Sequence, residues 1–220
     1  MPHVRIIRKP RLRTLRLAVL DERTVTVTVP LSYSDRQVHD LLERKKRWIT
    51  KHLSRHRALA EERASNVGTA LLLGRRYAIA FTEEAEEDVH FDEASGIVYI
   101  RGDKRSSLHV TLERWYRARA ATLIPPRVKD LAVEHRLSVG SITIRGQRTR
   151  WGSCSSSGNL SFNWKLLQAP PFILEYVICH EVAHVRFMSH SQEFWRFTEQ
   201  LCPRYREAKA WLREHGMRLG

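Results

Sequence analysis

Residues 170–187 constrain this chain more than any other stretch. Pro170-Pro171 opens it, and proline is tolerated in the first turn of a helix. Phe172, Ile173, Leu174, Tyr176, Val177 and Ile178 follow, and that apolar density predicts a buried helix running to about Phe187. The run then carries Cys179-His180-Glu181-Val182-Ala183-His184, the pattern H-E-x-x-H. On a helix, His184 lies about 40° from His180 and Glu181 about 100° from it. All three project over one arc. Buried polar groups need partners, and two imidazoles one turn apart can share a metal ion. Zinc lowers the pKa of a bound water to about 7, so a carboxylate beside the pair can act as general base.

A third ligand is needed. His190 completes H-E-x-x-H-x5-H, and Ser191 can cap a new helix directly after it, so the chain turns at the ligand. The alternatives are acidic, Glu193 or Glu199, on that next helix. His52, His56, His109, His135 and His215 are isolated on helical segments and read as surface residues.

The rest of the chain reads as an α+β protein. Val25, Val27 and Val29 alternate with threonines in a strand-rich region over 4–29, with a hairpin turn at Asp21-Glu22-Arg23. Residues 35–64 predict one amphipathic helix with a basic face, and 65–69 a linker. Leu71–Phe81 and Ile97–Ile100 read as strands. The acidic run from Glu83 to Asp88 between them reads as a solvated loop, since it lacks the spacing of a calcium loop. Residues 106–136 predict a long helix interrupted near Pro125-Pro126, with an apolar stripe at Leu108, Leu112, Trp115 and Tyr116. A β-meander is expected over 140–164. A final helix is expected from Ser191, broken at Pro203 and ending near Glu214. The expected division is an N-terminal region 1–105, a β-hairpin plus basic helix, and a catalytic region 106–220.

Composition narrows the setting. With 42% apolar and 28% charged residues over 220 positions, the chain is long enough to bury a core without staples. Three cysteines, Cys154, Cys179 and Cys202, share no CxxC spacing, and a reducing, cytoplasmic location is expected. No run approaches the length of a membrane span, and the N-terminus lacks a signal pattern. The net charge of +14 is concentrated early: residues 1–70 hold 16 Lys+Arg against 7 Asp+Glu. Such a region suits nucleic acid as a partner, or is a solvated basic face.

Four segments taken together are more specific than H-E-x-x-H alone. Arg150-Trp151-Gly152-Ser153-Cys154, Gly158 to Trp164, His180 to His184, and His190-Ser191 with Phe194-Trp195 resemble the YgjP-like metallopeptidases, which are similar to the SprT-like and WLM proteases. The resemblance is dense over 140–212. It implies a small zincin-like (minigluzincin-like) fold, with an antiparallel sheet beside the active-site helix. It also implies one zinc ion on His180, His184 and His190, Glu181 as base, and a protein or peptide substrate. The rival readings are a nucleic-acid-associated module with a structural zinc, and a zinc amidohydrolase of small substrates.

Two assignments remain open between function and packing. The Arg150–Cys154 strand is either an edge that pairs with an extended substrate, or a packed corner made by Trp151 and Gly152; the corner is favoured for those two residues. Cys154 and Cys179 read as inert thiols. For the oxyanion, Tyr205 is the first candidate, with Tyr176 and Arg150 behind it, and Tyr205 also reads as a packing residue.

Overall fold

The computed structural model describes residues 2–10, 12, 14–65, 68–83, 87–102, 108–147 and 149–219, with side chains of 59–65 excluded. Its contacts divide the chain into two compact units, Met1–Val67 and Gly68–Gly220. This division falls before the boundary expected at residue 105.

In the first unit, β1 (His3–Lys9), β2 (Arg16–Val19) and β3 (Thr24–Pro30) form a sheet of order β1-β3-β2. Strand β3 is antiparallel to β2 and parallel to β1. The β2–β3 turn is closed by Asp21, whose carboxylate accepts from the Arg23 and Thr24 N–H groups at 2.8 and 2.7 Å. Ser34 and Gln37 form a reciprocal capping box at the start of α1 (Asp35–Arg44). The single helix expected over 35–64 is in fact two, because Lys45 leaves helical geometry before α2 (Lys46–Ser65) begins. The exposed cations Arg44-Lys45-Lys46-Arg47 bury nothing that would hold one straight helix there. Val27, Val29, Val38 and Leu41 make this unit's core.

The second unit begins with β4 (Thr69–Leu72), β5 (Arg75–Thr82), β6 (Val89–Asp92) and β7 (Ile97–Arg101), in the order β4-β5-β7-β6. Leu71–Phe81 is therefore a hairpin rather than one strand. Leu73 and Gly74, at φ 48° and 81°, supply the left-handed conformations that a two-residue turn needs. The turn is docked: Leu73 N–H donates to the Leu167 carbonyl at 2.6 Å, and a Cβ on Gly74 would meet Pro170 at 3.0 Å. Strand β6 was not foreseen. The acidic run lies partly outside the described residues, at 84–86.

Helix α3 (Leu108–Glu134) passes through Pro125 and Pro126 without the expected interruption. The prolines free the carbonyls of Ala121 and Thr122, which belong to exposed residues where water can satisfy them. On the other face Tyr116, Ala120, Ile124, Val128 and Leu131 are all buried, and this stripe holds the helix continuous.

Strands β8 (Ile142–Arg145), β9 (Gly152–Cys154) and β10 (Leu160–Asn163) pair in the order β8-β10-β9. Because β10 is parallel to β8 and antiparallel to β9, this is a mixed sheet, not the expected meander or an antiparallel one. The link between β8 and β9 crosses to the far side of β10. Asn163 Nδ2 ties that link down, donating to the Gln147 and Arg150 carbonyls at 2.7 and 3.2 Å. A short 3-10 helix, Trp164–Gln168, leads into α4 (Pro171–Arg186), followed by α5 (Gln192–Leu201) and α6 (Tyr205–His215). Helix α4 lies at the centre of the main core, with Ile173, Val177, Ile178, Val182 and Ala183 buried. The second unit is thus α+β. Among the described residues, no helix is long and apolar enough to cross a membrane.

Candidate metal centre

Helix α4 starts at Pro171, as its proline pair predicts, and carries His180, Glu181 and His184 on its last two turns. It stops at Phe187, whose backbone is extended. The Phe187 carbonyl turns back and accepts from His184 Nδ1 at 3.0 Å. That bond fixes the ring and leaves Nε2 as the free ligand atom. Three residues later the chain reaches His190. Ser191 then caps α5 by accepting from the Phe194 N–H. The cap starts α5 directly after His190 and so directs the chain back over α4.

The three imidazoles converge. One ring nitrogen from each of His180, His184 and His190 lies within 4.8 Å of the others, the one such cluster of potential ligands among the described residues. His180 Nε2 and His190 Nε2 are 3.2 Å apart. Two ligand nitrogens at tetrahedral zinc, each about 2.05 Å from the ion, lie about 3.3 Å apart. The His180–His190 pair is therefore spaced as two ligands of a zinc-sized cation would be, with the His184 nitrogen within 4.8 Å of both. Burial, then the charges of His184, His190 and Lys209, pushes the His180 pKa down to about 3, so its lone pair is free near neutral pH. Burial likewise lowers His184, against its bond to Phe187.

Phe194 forms an apolar floor under the triad. It is 0% exposed, and its ring centroid lies 5.0, 4.5 and 4.8 Å from those of His180, His184 and His190. Trp195 stacks on His190 at 5.4 Å and on Tyr205 at 5.6 Å. Neither role was read from the sequence, although the position of Phe194 four residues after His190 was a signal.

Glu181 is 6% exposed and accepts no hydrogen bond among the described residues. Burial pushes its pKa up to about 7, against the charge of Arg150. It lies against β9, where a Cβ on Gly152 would fall 2.6 Å from Glu181 Cγ and Oε1. Strand β9 is at the edge of its sheet. Trp151 packs on Gly216, while Gly152 bears directly on the carboxylate.

The other candidate ligands lie away from the triad, while Tyr176 packs on His180 at 5.6 Å. Glu199 pairs with Arg206 at 3.0 Å, and Glu193 is exposed at the start of α5. His52 and His215 bond to backbone carbonyls of their own helices, and His135 meets Phe197 edge-on. Tyr205 is buried against Trp195, and burial followed by the charge of Glu181 pushes Tyr176 up to about 12. Cys179 is fully buried and donates to the Leu201 carbonyl at 3.5 Å, while burial raises Cys154.

In this α+β domain three imidazoles converge from one helix and the turn beyond it, beside a buried carboxylate, in an arrangement that could hold a metal ion. The family model described as YgjP-like, metallopeptidase domain, matches residues 13–215, and the chain belongs to that family. Neither a curated protein nor a solved structure matches it.

Proposed function

We propose that this chain is a zincin-like metallopeptidase that holds one zinc ion on His180, His184 and His190 and hydrolyses peptide bonds with Glu181 as general base. The observation that carries this reading is the convergence of three ring nitrogens beside a buried carboxylate that has no donor of its own. When bound, the ion supplies Lewis acidity toward water and toward the scissile carbonyl.

The protein's own groups do the rest. A pKa near 7 lets Glu181 take a proton from the attacking water onto Oε1 and return it to the leaving amine. Gly152 leaves the room in which that carboxylate sits. The free edge of β9, next to Glu181, suits backbone pairing with an extended peptide. The contacts of Tyr205 favour positioning of His190 through Trp195 over a direct catalytic role.

A structural zinc in a binding module is less well supported. Structural sites are closed by a fourth protein ligand, and among the described residues three histidines converge with no fourth group. The three free cysteines fit a reducing, cytoplasmic setting. Nucleic acid is a proposed partner of the basic first unit, tested by salt-dependent oligonucleotide binding of the whole protein.

The decisive experiment measures bound zinc and cleavage of casein and a peptide library for wild type and Glu181→Gln. The expected result is one zinc in both and cleavage by wild type alone. Equal cleavage by the two would refute Glu181 as base. Zinc-loaded wild type that hydrolyses small amides but no peptide would favour an amidohydrolase.

A further inference from the structure

Two cations on different elements act on the candidate site. Lys209 lies one helical turn after Tyr205 on α6, and its Nζ approaches the Trp195 ring to 4.1 Å. That ring stacks on His190 and lies 5.9 Å from His180. The ammonium is thereby held on the aromatic wall of the triad. Arg150 stands two residues before Gly152, the residue against Glu181, and its carbonyl accepts from Asn163 Nδ2 at 3.2 Å, which fixes the backbone there.

Both side chains are exposed, and among the described residues neither is ion-paired. Nearby cations differ in this respect: Arg204 pairs with Glu207 and Arg206 with Glu199. Lys209, over the ring that stacks on His190, and Arg150, two residues before Gly152, therefore carry positive charge near the site without an ion pair of their own. An anionic group arriving there gains attraction from cations that no ion pair already engages.

We propose that Lys209 and Arg150 make the site select acidic peptides, with Asp or Glu within about two residues of the scissile bond. An extended chain advances about 3.3 Å per residue, which keeps such a side chain close to the reacting carbonyl. This inference rests on the peptidase reading above. Lysine is suited to the role because its flexible stem carries a compact charge that can follow either carboxylate.

The test uses zinc-loaded full-length protein and matched quenched-fluorescence peptides that carry Glu, Gln or Lys at each position flanking the cleaved bond. Wild type should show kcat/KM for Glu over Gln higher by about three- to fivefold, the size expected of an exposed charge pair, with Lys lowest. Raising NaCl should shrink that ratio. The double variant Lys209→Met/Arg150→Gln should bring the ratio to about one, and Lys209→Arg should preserve it.

A second readout does not depend on turnover. Labelled Glu peptide should bind Glu181→Gln protein more tightly than the Gln peptide does, by fluorescence anisotropy, and the double substitution should remove the difference. Cleavage with no Glu preference, or a preference that survives the double substitution, overturns the inference while leaving the peptidase reading intact. Zinc-loaded wild type that cleaves no peptide overturns both.

Discussion

Gly152 and Glu181 are in direct opposition: the space that a Cβ on Gly152 would occupy is already filled by the Glu181 side chain, 2.6 Å away at Cγ and Oε1. Glu181 is on a helix buried in the core and Gly152 is paired with Phe162 of β10, so the flexible carboxylate gives way before either backbone. Gly152→Ala should therefore move the carboxylate rather than the helix. A displacement of about 1 Å from productive geometry costs on the order of a hundredfold in rate. The expected outcome is a kcat loss of that order with zinc still bound, read from steady-state kinetics alongside metal analysis. Unchanged kcat would mean that Glu181 does not act from this position.

His190 comes from outside the helix that carries the other two ligands, so its removal tests the triad without disturbing α4. His190→Ala should lose stoichiometric zinc. In wild type, saturating zinc at about a hundred times its dissociation constant should stabilise the fold by about 2.7 kcal/mol. A chelator should lower the wild-type Tm and leave that of His190→Ala where it was. Equal chelator sensitivity in the two would argue against His190 as a ligand.

Phe194 touches all three imidazoles and is fully buried. Phe194→Ala should cost about 3–5 kcal/mol in stability by opening a cavity. It should also weaken zinc binding, because the rings lose the surface that orients them. Phe194→Leu, which keeps most of the volume, should recover most of the stability. Denaturant melts and zinc titration separate the two effects, and zinc affinity that is unmoved in both variants would show that the floor is not needed for the site.

Gly74→Ala addresses the hairpin. At φ 81° an alanine is strained, and its Cβ would press on Pro170 at 3.0–3.2 Å, including backbone atoms that cannot swing away. A left-handed non-glycine residue costs about 1–2 kcal/mol before that contact is counted. The expected loss in chemical denaturation is therefore about 1–3 kcal/mol, and a neutral result would mean that the β4–β5 turn is not held against Pro170.

Much of the second unit was legible from local pattern. The limits of α4, the cap at Ser191, the break at Pro203 and the shared arc of His180 and His184 all follow from helical periodicity and the chemistry of helix ends. Leu71–Phe81 was read as a strand, whereas the left-handed Leu73 and Gly74 fold it into a hairpin. The Pro125-Pro126 pair was read as a break because the buried stripe beneath it, Ile124 and Val128, could not be weighed against the lost hydrogen bonds. The order β8-β10-β9 was misread because alternation shows which face of a strand is apolar but not which strand lies beside it.

The sequence by itself determined which helix carries the imidazoles and the carboxylate, since a 3.6-residue repeat places side chains on an arc without reference to the rest of the chain. It also marked His190 and the acidic residues as the choices for a third ligand. Only the tertiary structure decided the rest. It brought His190 Nε2 to 3.2 Å from His180 Nε2, set Phe194 beneath the three rings, pressed Gly152 against Glu181 and placed Lys209 over Trp195. Each of these contacts joins separate elements. Their geometry depends on how the helices and the mixed sheet pack, and residue spacing along the chain does not encode that packing.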